Sequence, residues 1–327
     1  MTCTVLGVKM YKIMENIFLI NPEAGSRNRI QSIVDRIRKS CSETGMDAEI
    51  CFTNTVDECR KYIAGKCMDN PGEKIRFFGC GGDGTLNLVV NACVPFENAV
   101  AGNVPVGTGN DFVRTIGSLS DFSDISRQLR GIPVHIDLIR CEYIEDGVRK
   151  VCYCDNMINI GFDSNVVEKA AQIRKGGIVT GSLAYLMGVA VILAEKKGAD
   201  LLIECDGETV HDGPLLLTAV ANGSYCGGGV RSSPRSKLND GTAEASIIRD
   251  VSRRKFVKLY PSYSKGTHLD IPHIDEIIDY RPVKTVHIRT NGETMRVSND
   301  GEIIYTDEIW LEVEPKRILF SVPEGLL

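Results

Sequence analysis

One stretch constrains the fold more than any other: Lys74–Asn91, KIRFFGCGGDGTLNLVVN. It opens with Ile75, Phe77 and Phe78, an apolar run of the length and type of a buried parallel strand. Five of the next six residues through Gly84 are glycine or aspartate, so the chain turns sharply there. Leu86, Leu88 and Val89 then follow at the spacing of the inner face of a helix. Strand, glycine loop and helix together point backbone N–H groups and a helix N-terminus at a phosphate. Gly79-Cys80-Gly81-Gly82-Asp83-Gly84 formally fits the dinucleotide fingerprint G-x-G-x-x-G. Asp83 argues against that reading, because a carboxylate beside a pyrophosphate is repelled unless a metal lies between them. A carboxylate in such a loop fits phosphoryl transfer with Mg²⁺ better than hydride transfer. The plainer alternative is a tight turn in which Asp83 caps the helix.

Two further polar glycine loops repeat the pattern. Ile17–Ile20 is expected to be a first strand, followed by Asn21-Pro22-Glu23-Ala24-Gly25-Ser26 and an amphipathic helix over Arg29–Lys39. Ala48–Thr53 is expected as a second strand and Val56–Ala64 as a second helix. A fourth strand, Ala99–Val106, runs into Gly107-Thr108-Gly109-Asn110-Asp111-Phe112. In a doubly wound α/β sheet the loops at Asn21, Gly81 and Gly107 would gather at the carboxyl ends of the strands, where ligands bind. Three such loops favour a nucleotide site over plain turn chemistry.

From about residue 134 the texture changes to short strand-like runs separated by turn signals, which indicates a mainly antiparallel β domain. Trp310–Glu314 and Ile318–Val322 are expected there as two separate strands. Helices are expected at Asn165–Ile173, Ser182–Lys197 and Arg253–Ser264. The expected organisation is a nucleotide-binding domain over 1–133, joined in one version by 318–327, and a substrate domain over 134–317, with a cleft between them.

The 327 residues suffice for two cores, and 43% apolar with 25% charged residues is ordinary for a soluble protein. A net charge of −5 argues against a dedicated nucleic-acid binder. The N-terminus lacks a signal-like apolar region, and Ala184–Ala194 is too short to span a bilayer, so a cytoplasmic chain is expected. The twelve cysteines contain no C-x-x-C pair. Cys152 and Cys154 fall on one face of a strand, more a packing than a ligating arrangement, and reduced thiols are expected.

Asp300 and Glu302 lie two apart, so on an extended segment they share a face, one able to meet a substrate hydroxyl and the other a metal water. Asn299-Asp300-Gly301 equally suits a type I′ hairpin turn. Asp83 and Asp111 could hold Mg²⁺ through waters.

Together the motifs NPEAGSRN (Asn21–Asn28), GGDGTLNLVVN (Gly81–Asn91), PVGTGNDFVRTIG (Pro105–Gly117), NIGFDSNVV, GSLAYL, KLNDGTAEASII and NDGE (Asn299–Glu302) resemble the bacterial diacylglycerol kinase-like lipid kinases. Those enzymes share a catalytic domain with diacylglycerol and sphingosine kinases. GGDGT alone would admit NAD kinases and phosphofructokinases; GTGNDF with a late DGE is more specific. The resemblance implies an NAD kinase-like α/β domain, a β-sandwich domain, and transfer of phosphate from ATP with Mg²⁺ to a lipid hydroxyl at the inner membrane surface. Asn21, Pro22, Ala24, Gly25, Thr53, Gly81, Gly82, Asp83, Gly84, Thr85, Asn87, Thr108, Asn110 and Asp111 are the implied nucleotide contacts. Lys237, Asp240 and Thr242 are the implied holders of a structural Mg²⁺. Asp300 and Glu302 are the carboxylates from which the base is drawn. One departure stands out: Leu88 occupies a position where the family commonly has Glu. The competing readings are a kinase of a soluble substrate and a nucleotide-binding regulator without turnover. For membrane contact, the apolar Leu183–Leu193 and the basic Arg249, Arg253, Arg254, Lys255 and Lys258 are the candidates.

Overall fold

Every residue of strand β3 (Ile75–Gly81) and of β4 (Ala99–Pro105) is buried, as expected for central parallel strands covered on both faces. A computed structural model describes residues 14–22, 27–107, 109–161 and 198–326. Ala24, Gly25, Thr108 and the helices expected at Asn165–Ile173 and Ser182–Lys197 lie outside the described residues.

With β1 (Glu15–Ile20) and β2 (Glu49–Phe52), these strands form a parallel sheet in the order β2-β1-β3-β4. Alternate residues face opposite sides. Ile17, Leu19 and Phe77 pack against Ile63 of α2 (Val56–Asp69) and Leu86 and Val89 of α3 (Asp83–Cys93). Phe18, Ile20 and Phe78 pack against Ile33 and Ile37 of α1 (Arg27–Thr44) on the other side. The sheet is therefore doubly wound. Helix α1 runs past the expected end at Lys39 and stops where Gly45, at φ +67°, accepts the left-handed conformation. After β4 come three short helices, α4 (Asp111–Ile116), α5 (Leu119–Ser123) and α6 (Ile125–Leu129).

The C-terminal half is built on antiparallel strands around a second core that includes Ile139, Ile160, Ile203, Ile247, Val297 and Leu311. Its strands are β5 (Ile132–Glu145), β6 (Val148–Cys154), β7 (Met157–Gly161), β8 (Ala199–Cys205), β9 (Glu208–Ala221), β10 (Ala243–Arg249), β11 (Ile278–Val283), β12 (Thr285–Thr290), β13 (Met295–Asn299), β14 (Glu302–Thr306) and β15 (Glu308–Val322). All pairings among them are antiparallel. A third apolar cluster lies between the outer side of β9 and α7 (Arg253–Lys265).

The two strands expected at Trp310–Glu314 and Ile318–Val322 are one strand, β15, bent in the middle. Its register shifts between Glu314 and Ile318, with Lys316 at φ +53°. Pro315 cannot donate a ladder hydrogen bond, which is why the sequence reads as a break. The buried Asp137 of β5 bridges the gap, because its Oδ1 accepts the Lys316 N–H at 2.7 Å. Beyond the bulge, Leu319 and Phe320 pair in parallel with Val100 and Ala101 of β4. The chain end thus returns to the first sheet, and β5 and β15 run together from one half into the other.

Candidate active site

The carboxyl ends of β1 to β4 lie on one edge of the parallel sheet, and the described parts of the three loops emerge there. Asn21 and Pro22 follow β1 directly, half-buried. Thr53, buried, closes β2 with its N–H on the Ile20 carbonyl at 3.0 Å. At the end of β3, a Cβ on Gly81 would fall 2.1 Å from Thr85 Oγ1, so only glycine fits that turn. Gly82 begins α3 with no side-chain cap, leaving that helix end to other partners.

The second and third loops interlock. A Cβ on Gly107 would sit 2.5 Å from the Gly82 Cα. Asp83, expected as a phosphate-side carboxylate, uses both oxygens inside the protein: Oδ2 accepts the Asn110 N–H and Oδ1 the Asp111 N–H, each at 2.7 Å. It clamps the third loop to the second and suits a metal poorly as a direct ligand. Asn110 is left-handed (φ +53°) and donates its side-chain amide to the Gly107 carbonyl at 2.9 Å.

Asp111 is buried, with Oδ2 accepting the Gly228 N–H at 2.8 Å and Oδ1 carrying no hydrogen bond. Arg114 stands 3.9 Å from that oxygen. Burial first, then the Asp83 charge, push the Asp111 carboxyl up to about 6. The folded state therefore holds a proton that the unfolded chain, at the ordinary 3.8, releases. The associated stability is complete below pH ~4 and is lost as pH rises through ~6. Asp111→Asn is expected to flatten this decline, which amounts to roughly 2–3 kcal/mol. Urea unfolding at pH 4 and pH 6.5 checks it; an equal slope in both proteins would remove the claim.

Across from the loops, the β13–β14 hairpin turns at Asp300 (φ +48°) and Gly301 (φ +90°), the two left-handed residues of a type I′ turn. The turn and the carboxylate site are therefore the same object. Asp300 Oδ1 accepts the N–H groups of Met157 (2.7 Å) and Asn156 (3.2 Å) and the Cys154 thiol (3.2 Å). Its Oδ2 accepts the Asp155 N–H (2.9 Å) and the Asn87 amide (2.8 Å). Asn87 thus reaches from α3 to the opposite half, with Tyr153 O and Asp155 Oδ1 also at 3.0 Å. Asn91, one helical turn on, reinforces the seam by donating to Tyr153 O and accepting from its N–H, both at 2.9 Å. Burial, and then the Asp300 charge, drive the Asp155 carboxyl well above the carboxylate range. The pair shares one proton, held on Asp155, while Asp300 is the acceptor for three backbone N–H groups.

Glu302 is different. It is exposed, and its Oε1 lies 3.9 Å from where a Cβ on Gly84 would stand, at the head of α3. Of the two DGE carboxylates, Asp300 is enclosed and Glu302 is presented to the loop edge. Thr85 is half-buried in the same first turn of α3. Leu88 packs against the apolar core of the first half. The space a glutamate would occupy is filled with hydrocarbon.

The Lys237–Thr242 segment stands apart from this group. Asp240 is exposed and its Oδ1 accepts the Thr242 N–H (3.2 Å) and hydroxyl (2.9 Å). Glu244, nearby, has a buried Oε2 without a hydrogen bond, and burial and then the Asp240 charge raise its carboxyl. Two carboxylates with an orphaned oxygen fit a hard cation. Lys237 is exposed and Thr242 half-buried. Sequence reading missed Asp155, Asn91, Arg114 and Gly228. The i, i+4 spacing of Asn87 and Asn91 was a usable signal. Arg114 lies at i+3 from Asp111 on the same helix, an equally local signal, whereas Asp155 and Gly228 belong to contacts between distant segments.

An uncapped helix end above a doubly wound sheet, faced by an exposed carboxylate from a second, antiparallel half, is an arrangement suited to phosphoryl transfer. Residues 156–321 match the family described as "YegS C-terminal NAD kinase beta sandwich-like domain", and residues 15–141 match "Diacylglycerol kinase catalytic domain". The chain belongs to the bacterial diacylglycerol kinase-like lipid kinase family, and is a kinase of a hydroxyl acceptor. It is similar to a diacylglycerol kinase of Bacillus subtilis (strain 168), 25% identical over 295 residues, covering 87% of this chain and 88% of the relative. A diacylglycerol kinase of Mycobacterium tuberculosis (strain ATCC 25618 / H37Rv) is 27% identical over 224 residues, 68% of each chain. A crystal structure of a diacylglycerol kinase from Bacillus anthracis str. Sterne shares the fold, with TM-score 0.68 and 19% identity over 97% of this chain and 99% of that one.

Proposed function

We propose that this lipid kinase transfers the terminal phosphoryl group of ATP, with Mg²⁺, to the hydroxyl of diacylglycerol or a related lipid alcohol, and that Glu302 is the general base. The observation that carries the reading is the exposed Glu302 carboxylate beside Gly84 at the uncapped start of α3. The nucleotide would lie along Asn21, Thr53, Gly82, Thr85 and Asn110, with α3's first-turn amides on its phosphates. Asp111 and Glu302 would hold Mg²⁺ through water, and the ion would supply neutralisation of the developing charge. Asp240, with the backbone oxygens of Lys237 and Thr242, would hold a second, structural ion. Asp300 fixes the turn that aims Glu302. Glu302 accepts the proton as the lipid oxygen attacks phosphorus.

A lipid acceptor is supported by the match of residues 15–141 to the diacylglycerol kinase catalytic domain. Among the described residues no helix is long and apolar enough to cross a membrane. Helix α7 suits contact with a lipid surface: Arg253, Arg254, Lys255 and Lys258 are exposed, as is Val257, while Phe256, Leu259 and Tyr263 pack into the apolar cluster against β9. Neutralising Arg253, Arg254 and Lys255 is expected to cut flotation with anionic liposomes by about 3 kcal/mol of binding, roughly 1 per charge. Unchanged flotation removes the idea.

The test of the reaction is labelled ATP with Mg²⁺ over diacylglycerol, monoacylglycerol, sphingosine, ceramide and phosphatidylglycerol in mixed micelles. Label in one lipid supports the reading. Turnover without any lipid points to a soluble acceptor, and ATP binding without product points to a regulator.

A further inference from the structure

We propose that Cys141 and Cys152 are an oxidation site, a thiol pair that hydrogen peroxide converts to a disulfide which lowers kinase activity. The two are direct cross-strand partners on β5 and β6. Opposed residues in an antiparallel pair bring their Cα atoms about 4.5–5.5 Å apart, inside the range a disulfide spans. The Cys141 thiol donates to the Ile139 carbonyl at 3.5 Å, a weak bond that leaves the sulfur beside its cross-strand partner. Cys152 accepts the Asn299 side-chain amide at 3.2 Å, and Asn299 is the residue before Asp300. Two residues along the same face, Cys154 donates to Asp300 itself. The pair is thus wired to the turn that carries Glu302.

The chemistry separates the two sulfurs. Cys152 is half-buried, and its thiol is held below the usual range by the neighbouring Cys141 thiol first and then by the Asn299 amide that donates to it. Cys141 is fully buried and pushed well up by burial. Cys152 is therefore the nucleophile and Cys141 the resolving thiol. The Cys152 thiolate attacks peroxide, the O–O bond breaks, and a sulfenic acid and one water form with uptake of a proton. Cys141 sulfur then attacks the Cys152 sulfur. The S–O bond breaks, and the leaving hydroxide takes the Cys141 proton as a second water. Two thiols lose two electrons in all, and one peroxide becomes two waters. Once bonded, the Cys152 sulfur is a neutral, weaker acceptor for Asn299, and β5 and β6 are drawn together beneath the hairpin.

The experiment treats the full-length protein with hydrogen peroxide at low molar excess, blocks free thiols, and maps peptides without reduction. A linked pair of peptides containing Cys141 and Cys152 is expected, with kcat on the lipid acceptor down about tenfold to a hundredfold, the effect of misplacing a base by about an ångström. Dithiothreitol should restore it. Cys141→Ala should keep its activity through the same treatment. Absence of the link, linked protein with unchanged kcat, or loss of activity in Cys141→Ala would each overturn the proposal. The link is read without turnover, so its result stands apart from the identity of the lipid. Peptide mapping of the unsubstituted chain does not depend on how the variant folds.

Discussion

Glu302→Gln is expected to lower kcat by about 10²–10⁴-fold, the usual contribution of a positioned general base. The amide keeps the size and exposure of the side chain and removes its proton affinity. Nothing buried depends on it, since Glu302 is exposed on the far side of a type I′ turn. Thermal stability should therefore match the parent, and any loss of ATP affinity should be far smaller than the loss of kcat, since Glu302 would hold the Mg²⁺ only through water. The measurement is single-turnover phosphorylation of whichever lipid the panel identifies, with ATP binding by calorimetry alongside. A variant within about threefold of the parent in kcat would move the base elsewhere, because a true base cannot be lost so cheaply.

Asp300→Ala is expected to act differently, on the fold and on activity together. Its carboxylate accepts from Asp155, Asn156 and Met157 backbone N–H groups, from Asn87 and from Cys154. Removing it strands these donors in the seam between the two halves. The expected loss is about 3–5 kcal/mol, the cost of deleting one member of a buried charged network. Activity should fall with it, since Asn87 and the Glu302 turn lose their common anchor. Urea denaturation reads the first effect and turnover the second. A normal midpoint in Asp300→Ala would show that the network is not under tension of this kind. Together the two variants separate a residue that moves a proton from one that holds its neighbour in place.

The organisation of the first half was legible because its causes are local. A buried strand followed by Gly81 and Gly82 leaves only a tight turn into a helix, and three such turns on one edge mean a ligand. The family motifs identified GGDGT, GTGNDF and DGE on the same grounds, that few backbones tolerate those residues. The sequence also offered two readings of Asn299-Asp300-Gly301, a hairpin turn or a carboxylate site. The structure makes it both, because the turn conformation is what buries Asp300 and presents Glu302.

Other assignments had no local signal. Asp83 reads from the sequence as a metal-side carboxylate or a helix cap; its two oxygens meet Asn110 and Asp111 only when two separate loops pack against each other. Pro315 reads as a strand end, yet the Asp137 carboxylate from the neighbouring strand carries β15 across it. Asp155 carries no signal within its strand-like run until Asp300 is folded against it. The residue pattern alone thus determined the doubly wound sheet, its glycine loops and the class of chemistry, since hydrophobic period and glycine geometry act within a few residues. Which carboxylate is enclosed, which is exposed and which holds a proton was decided by segments some 145 residues apart meeting in one buried seam, because desolvation and hydrogen bonding depend on what lies across space rather than along the chain.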